Sequence, residues 1–202
     1  MSSAIATLRP VISRESLQTE PLDDSLHGLR TAMVAIQIGR QMDLDVSRLR
    51  TLARAARHHD DGKKWLPRGL IDKRSSLNPE ERALMAEHTI FGHRALLAWC
   101  PVSAQVALLH HERWDGSGYP FGLSGDRIPI EARIVAVADV LDALLSERTY
   151  KPAWQWEEAL EYLRAGAGTQ FDPTCIAALE RCLTEVRSHW HHCGPGLMRS
   201  AA

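Results

Sequence analysis

Apolar residues recur every three or four positions along most of this chain, the spacing that gives an α-helix one buried face. Between Asp24 and about Met42, Leu26, Leu29, Met33 and Ile36 make such a stripe. A second stripe starts near Val46, with Leu49, Leu52, Ala53 and Ala56 on one side. Continued by three and four residues it reaches His59 and Asp60, and Gly62 is expected to end the helix. Asn78-Pro79-Glu80-Glu81 offers a capping side chain, a proline suited to the first turn and an acid three residues after the cap, so a third helix begins there. On it His88 follows Leu84 by four residues and precedes Ala95 by seven, which turns its imidazole inward.

Pro101 opens a fourth helix that runs through Val102, Val106 and Leu109 to His110-His111. Asp115-Gly116-Ser117-Gly118-Tyr119-Pro120 cannot extend it, because two glycines and a proline favour an irregular loop. Beyond Pro129 another helix buries Ile134, Val137, Ala138 and Leu141 and carries Asp139. Two more are expected, from Trp154 to Ala165, closed by Gly166, and from Pro173 to Val186, capped by Asp172. No stretch alternates like a strand. The predicted fold is all-α, a single helical bundle of about seven helices over 21–187, with a short lead at 1–20 and a flexible tail at 188–202.

Composition narrows the function. At 202 residues, 45% hydrophobic and 24% charged, the chain can bury the core of one globular domain. Its 24 Lys+Arg against 25 Asp+Glu give no long-range field for gathering a nucleic-acid polymer. No window approaches the roughly 20 apolar residues of a membrane span, and residues 1–20 lack a secretory pattern, so no membrane and a cytoplasmic location are expected. Cys100, Cys175, Cys182 and Cys193 form no C-x-x-C pair, which argues against thiolate ligands.

The chemistry lies in His59-Asp60, His88, His110-His111 and Asp139. Imidazole nitrogen and carboxylate oxygen suit first-row divalent metals, and a carboxylate can join two ions where an imidazole cannot, so Asp60 is the expected bridge. Neighbouring side chains on a helix diverge by about 100°. His110 and His111 can therefore share a cluster only at a helix end, where the break after Asp115 puts them. A lone inward His is more often a hydrogen-bonded core residue than a ligand. Six such groups converging in one core would leave many polar atoms unsatisfied without a cation, and that favours a metallohydrolase.

His59-Asp60-Asp61-Gly62-Lys63 resembles the HD-x-G-K signature of the HD phosphohydrolases, and His110-His111-Glu112-Arg113-Trp114-Asp115-Gly116-Ser117-Gly118-Tyr119-Pro120 resembles the defining element of their HD-GYP subgroup. The likeness continues through Pro129 to Ile134, Val137-Ala138-Asp139, Arg148 to Lys151, and Gly168-Thr169-Gln170-Phe171-Asp172-Pro173. It implies a helical HD domain that hydrolyses cyclic di-GMP to pGpG or GMP with two divalent ions, iron favoured and manganese an alternative. By position, His59, Asp60, His88, His110, His111, Asp139 and His27 would be metal ligands. Lys63 would contact phosphate near the metals and act with Asp60 in catalysis. Arg148 and Lys151 would meet the substrate phosphates, and Gly118, Tyr119 and Pro120 would shape the substrate entrance.

Two positions depart from that pattern. Asp23 stands where members with a third metal carry Glu, one methylene longer, so Asp23 is the candidate ligand for a third ion that its shorter reach disfavours. Asp61 replaces a usually apolar residue, and either faces solvent or adds negative charge beside the bridge. Tyr119 has two readings, stacking on a guanine or packing under the turn. His189-Trp190-His191-His192-Cys193 reads as a fraying terminus rather than a metal site. Candidate partners are a cyclic dinucleotide, a GGDEF-domain protein and, if an exposed helix carries an apolar patch, a homodimer. The alternatives are the same chemistry on cyclic GMP-AMP, and a catalytically silent binding module.

Overall fold

The structure, a computed structural model, describes residues 24–147 and 152–192. Nine α-helices occupy them: α1 (Asp24–Gln41), α2 (Val46–His58), α3 (Arg68–Ile71), α4 (Pro79–Leu96), α5 (Pro101–Leu109), α6 (Ile130–Leu145), α7 (Trp156–Ala165), α8 (Pro173–Arg181) and α9 (Leu183–His192). A 3-10 turn, Asp61–Trp65, follows α2. The described residues form no strand, only an isolated bridge between Ala167 and Phe171. None of their helices is long and apolar enough to cross a membrane. The fold is thus the expected all-α bundle. The count exceeds seven because of the short α3 and because the last helix breaks at Cys182, where φ −113° and ψ 19° leave the helical region. The apolar stripe runs on through that break, so nothing in its spacing announced it. α9 continues past residue 187, and Trp190 packs on Trp156 with ring centroids 5.8 Å apart.

Several ends form for the reasons read from sequence. Asn78 accepts from the Glu81 amide while the Glu81 side chain accepts from the Asn78 amide, a complete capping box. Asp172 accepts from the Thr174 amide at the start of α8. Asp45, not among the expected caps, accepts from the Arg48 amide at the start of α2.

The core centres on α1, which packs against α2, α6, α8 and α9. Its buried face differs from the predicted one. Val34, Ala35 and Ile38 are fully buried with Ala32 and Thr31 beside them, whereas Leu29 is 40% exposed and Leu26, Met33 and Ile36 lie at the margin. The reason is close packing: a Cβ on Gly28 would lie 2.5 Å from the Arg57 carbonyl oxygen of α2. A crowded helix turns its small residues toward its neighbours and leaves the large ones at the flanks. On α4 the buried line is His88, Thr89, Gly92 and Leu96. His88 points inward as expected, but Leu84 and Ala95, which suggested that face, are exposed.

Gly62 is also reassigned. It lies inside the 3-10 turn, past the end of α2, and a Cβ there would sit 1.8 Å from the His88 carbonyl oxygen and 2.6 Å from the Gly92 amide nitrogen. Its absent side chain lets the His59-Asp60 turn press against α4, next to His88.

Candidate metal centre

Five elements deliver the cluster. His27 comes from α1, His59 and Asp60 from the end of α2, His88 from mid α4, His110 and His111 from the end of α5, and Asp139 from α6. α5 stops at Leu109, so His110 caps it and His111 lies in the following turn. That helix end lets two consecutive imidazoles approach one place. Asp60, His88, His110 and His111 offer donor atoms within 4.8 Å of one another, and His27, His59 and Asp139 form a second such group.

Asp60 lies between the groups. Its Oδ1 is 3.4 Å from His88 Nε2 and 3.7 Å from His110 Nε2, while its Oδ2 is 3.4 Å from His59 Nε2 and 3.8 Å from His27 Nε2. Asp139 Oδ1 stands 3.3 Å from His27 Nε2 and 3.6 Å from His59 Nε2. Each Asp60 oxygen therefore serves a different set of imidazoles, the arrangement a bridging carboxylate needs.

The residues fit divalent ions. The Nδ1 atoms of His59 and His88 donate to the Ala56 and Met85 carbonyls at 2.7 Å, and that of His110 to those of Val106 and Ala107 at 3.1 Å. Those bonds place the proton on Nδ1 and leave Nε2 with its lone pair facing the cluster. His59 Nε2, His88 Nε2, His110 Nε2 and Asp60 Oδ1 are buried without a hydrogen-bond partner among the described residues. Four orphaned polar atoms close together are costly in a protein core, and a cation in each donor group satisfies them.

The charges agree. Burial opposes ionisation of Asp60, but Lys63 and His59 hold its carboxyl well below the usual carboxylate range. Asp139 is likewise held down against burial by His27 and His59. Burial pushes His88 down to about 4 and lowers His111. His27 goes the other way: burial disfavours its charge, but Asp139 and Asp142 outweigh this and raise it to about 10. Below that pH metal-free His27 holds a proton that a cation must displace, so metal affinity should fall as pH falls. Manganese added to metal-free protein in dilute buffer at pH 7 should release about one proton per chain or more; a pH electrode showing no release would contradict this protonation state.

Two acids outside the sequence-predicted set support the cluster. Asp142, 1% exposed, accepts from His27 Nδ1 at 2.7 Å and from Arg30 Nε at 2.5 Å, with Ser146 Oγ at 3.2 Å. A carboxylate behind a ligating imidazole fixes its ring and raises its basicity. Asp142→Asn should weaken binding of one metal equivalent by about 10- to 100-fold, measured by competition with a chelating dye. Its signal was available: an acid one turn after Asp139 on an otherwise apolar face. Glu112 is buried and accepts from the Phe121 and Leu123 amides at 2.7 and 3.0 Å, which pins the loop after His111. Nothing in its spacing distinguished it from a surface acid.

The remaining predicted residues are placed as follows. Lys63 Nζ bonds Asp60 Oδ2. Asp61 turns away from the cluster, accepting from His58 Nδ1 at 3.1 Å and Lys64 Nζ at 2.7 Å, so it adds no ligand. Gly118 lies where a Cβ would be 2.4 Å from the Arg113 nitrogen, which folds the loop back onto His111. Tyr119 lies over the His111 ring at 4.9 Å, tilted by 31°, and follows it into a cavity of about 340 Å³. Pro120 joins Tyr119 through a cis peptide and does not line that cavity. Asp23, Arg148 and Lys151 lie outside the described residues, as do Cys193 and the chain ends.

The cavity is lined by His110, His111 and Asp139 together with Gln170 and Phe171. The segment carrying Gln170 is tied to the loop by the Trp114 amide donating to the Gln170 carbonyl at 3.2 Å and the Asp115 amide to that of Thr169 at 2.8 Å. Arg133 completes the tie, donating to Asp172 at 2.8 Å while its guanidinium lies over Trp114.

Known proteins resemble this chain in sequence and fold. The family model "HD domain" matches residues 4–175. The chain is 46% identical over 156 residues to the cyclic di-GMP phosphodiesterase response regulator RpfG of Xanthomonas campestris, covering 75% of this chain and 41% of that protein. It is 34% identical over 168 residues to 3'3'-cGAMP-specific phosphodiesterase 2 of Vibrio cholerae, covering 81% and 32%. The chain thus spans less than half the length of these relatives. Among solved structures, Bd1817, an HDG"Y"P protein from Bdellovibrio bacteriovorus, superposes with a TM-score of 0.66 at 23% identity, covering 82% of this chain and 55% of that one. With its HD pair, its HHE turn and its Gly-Tyr-Pro loop on one helical bundle, this chain belongs to the HD-domain family and, within it, to the HD-GYP group.

Proposed function

We propose that this chain is a metal-dependent phosphodiesterase that hydrolyses cyclic di-GMP to pGpG or GMP. The observation that carries the reading is the pair of donor groups on either side of Asp60, with orphaned imidazole nitrogens facing inward. The names of RpfG and the other curated relatives support the substrate. Two divalent ions, when bound, supply an activated water and neutralise charge developing on the phosphoryl oxygens.

His88, His110 and His111 would hold one ion and His27, His59 and Asp139 the other, with Asp60 shared. Lys63, beside Asp60, would place its ammonium against a non-bridging phosphate oxygen. Its present bond to Asp60 keeps it at that spot. Arg148 and Lys151 would contact the substrate phosphates as the family likeness suggests. Tyr119 and Gly118 line the cavity next to the ligands and would border the bound nucleotide. A donor set of His and carboxylate without thiolate suits iron, with manganese an active substitute.

The test is direct. Anaerobically purified protein, loaded with iron or manganese, is incubated with cyclic di-GMP and the products are resolved by chromatography. Linear pGpG or GMP should appear, and chelation should abolish it. Undiminished hydrolysis by fully stripped protein would end the metal scheme. Faster turnover of cyclic GMP-AMP would move the chain to the second substrate, a reading that its 34% identity to a cGAMP-specific enzyme keeps in view.

A further inference from the structure

Building on the phosphodiesterase reading above and dependent on it, we propose that the Tyr119 hydroxyl donates a hydrogen bond to the ribose oxygen that leaves phosphorus, and so assists bond breaking instead of holding the base. The ring fixes where this side chain lies. Its centroid is 4.9 Å from that of the His111 imidazole, and His111 in turn meets the His88 and His110 rings at 5.1 and 4.0 Å. Tyr119 and His111 line the cavity together with Asp139. Burial and the charges of Asp60 and Asp139 push the phenol above its ordinary value. The ring is thus set against the ligand imidazoles, with its hydroxyl in electrostatic reach of both carboxylates.

Most other donors in this region are already engaged. The Nδ1 protons of His59, His88 and His110 go to carbonyls of their own helices, and His27 Nδ1 faces Asp142. The Ser117 hydroxyl donates to Asp115, and the Arg113 fork is divided between Ser117 and Asp115. Tyr119 differs. Its amide donates to the His111 carbonyl at 3.3 Å, but its hydroxyl has no hydrogen-bond partner among the described residues. A phenol is neutral at pH 7 and keeps one proton to donate.

Linear pGpG carries its terminal phosphate at the 5′ end, so the bond that breaks joins phosphorus to a 3′ ribose oxygen. The electron pair of that bond stays on the ribose oxygen, while water supplies the hydroxyl to phosphorus and, in the net reaction, the proton to the ribose. Attacking and leaving oxygens lie roughly in line on opposite sides of phosphorus. With water attacking from the side of the ligand cluster, the ribose oxygen faces the cavity, where Tyr119 offers its unused donor. A donor that meets charge present only as the bond breaks lowers the barrier without tightening the binding of substrate.

The experiment compares unaltered and Tyr119→Phe protein, both manganese-loaded, on cyclic di-GMP and on bis(4-nitrophenyl) phosphate, with calorimetric binding of pGpG alongside. Phenylalanine keeps the ring on His111, so metal content and melting temperature should match those of the unaltered protein. For cyclic di-GMP, kcat should fall about 10- to 100-fold, the loss of one hydrogen bond to a charged oxygen, with KM and pGpG affinity close to their starting values. For bis(4-nitrophenyl) phosphate, whose departing nitrophenolate is stable without a hydrogen bond, the loss should shrink to about threefold or less. An unchanged kcat on cyclic di-GMP would overturn the proposal and leave the reaction standing. An equal loss on the two substrates, or a loss carried by KM and pGpG affinity, would also overturn it, the first placing the hydroxyl's effect elsewhere than the leaving oxygen and the second making Tyr119 a binding residue. If the unaltered protein hydrolyses neither substrate, the proposed reaction and the donor role fall together.

Discussion

Asp60→Ala should reduce cyclic di-GMP hydrolysis by about a thousandfold or more. The effect is large because one side chain serves both donor groups: its two oxygens face separate imidazole sets at 3.4 to 3.8 Å. Removing it takes a ligand from each ion and the negative charge between them. It also leaves Lys63 without the carboxylate it bonds. Metal content should drop with activity, while the helical circular dichroism spectrum stays close to that of the unaltered protein. Full activity in a metal-loaded Asp60→Ala protein would show that the carboxylate is not shared.

Gly62→Ala should be nearly as damaging by a different route. The new methyl group would have to occupy a point 1.8 Å from the His88 carbonyl oxygen and 2.6 Å from the Gly92 amide nitrogen. Both obstacles are backbone, so relief requires the 3-10 turn to move away from α4. Overpacking of a well-filled core costs about 1–3 kcal/mol, and a backbone clash lies at the upper end of that range. The same displacement carries Asp60 away from His88, so metal affinity should fall together with melting temperature. Gly69, where a Cβ would meet nothing within 4 Å, is the matched control. Gly69→Ala should leave both quantities near their starting values, and a similar loss in the two variants would refute the close-approach explanation.

Most of the candidate ligands were legible in the sequence because they stand at positions that local rules describe, whereas His27 came only from the family resemblance. His59 and Asp60 extend the α2 stripe, His110 and His111 lie where Pro101 and the glycine-rich loop bracket a short helix, and Asp139 sits among Val137, Ala138 and Leu141. The caps at Asn78 and Asp172 are local chemistry and formed as expected. What escaped depends on contacts between distant segments. The inward face of α1 is set by how closely α2 approaches Gly28, and spacing alone favoured the larger Leu26 and Leu29. Gly62 reads as a helix terminator until α4 is seen against it. Asp142 acts through His27, 115 residues earlier, and Glu112 through amides on the far side of its own loop. The break at Cys182 leaves the apolar period intact and so could not be read from it.

The most direct test of the central claim is anomalous diffraction from crystals of the manganese-loaded protein. Two peaks are expected per chain, one among His88, His110 and His111 and the other among His27, His59 and Asp139, with one oxygen of Asp60 toward each. A single peak, or two peaks that do not share Asp60, would contradict the account.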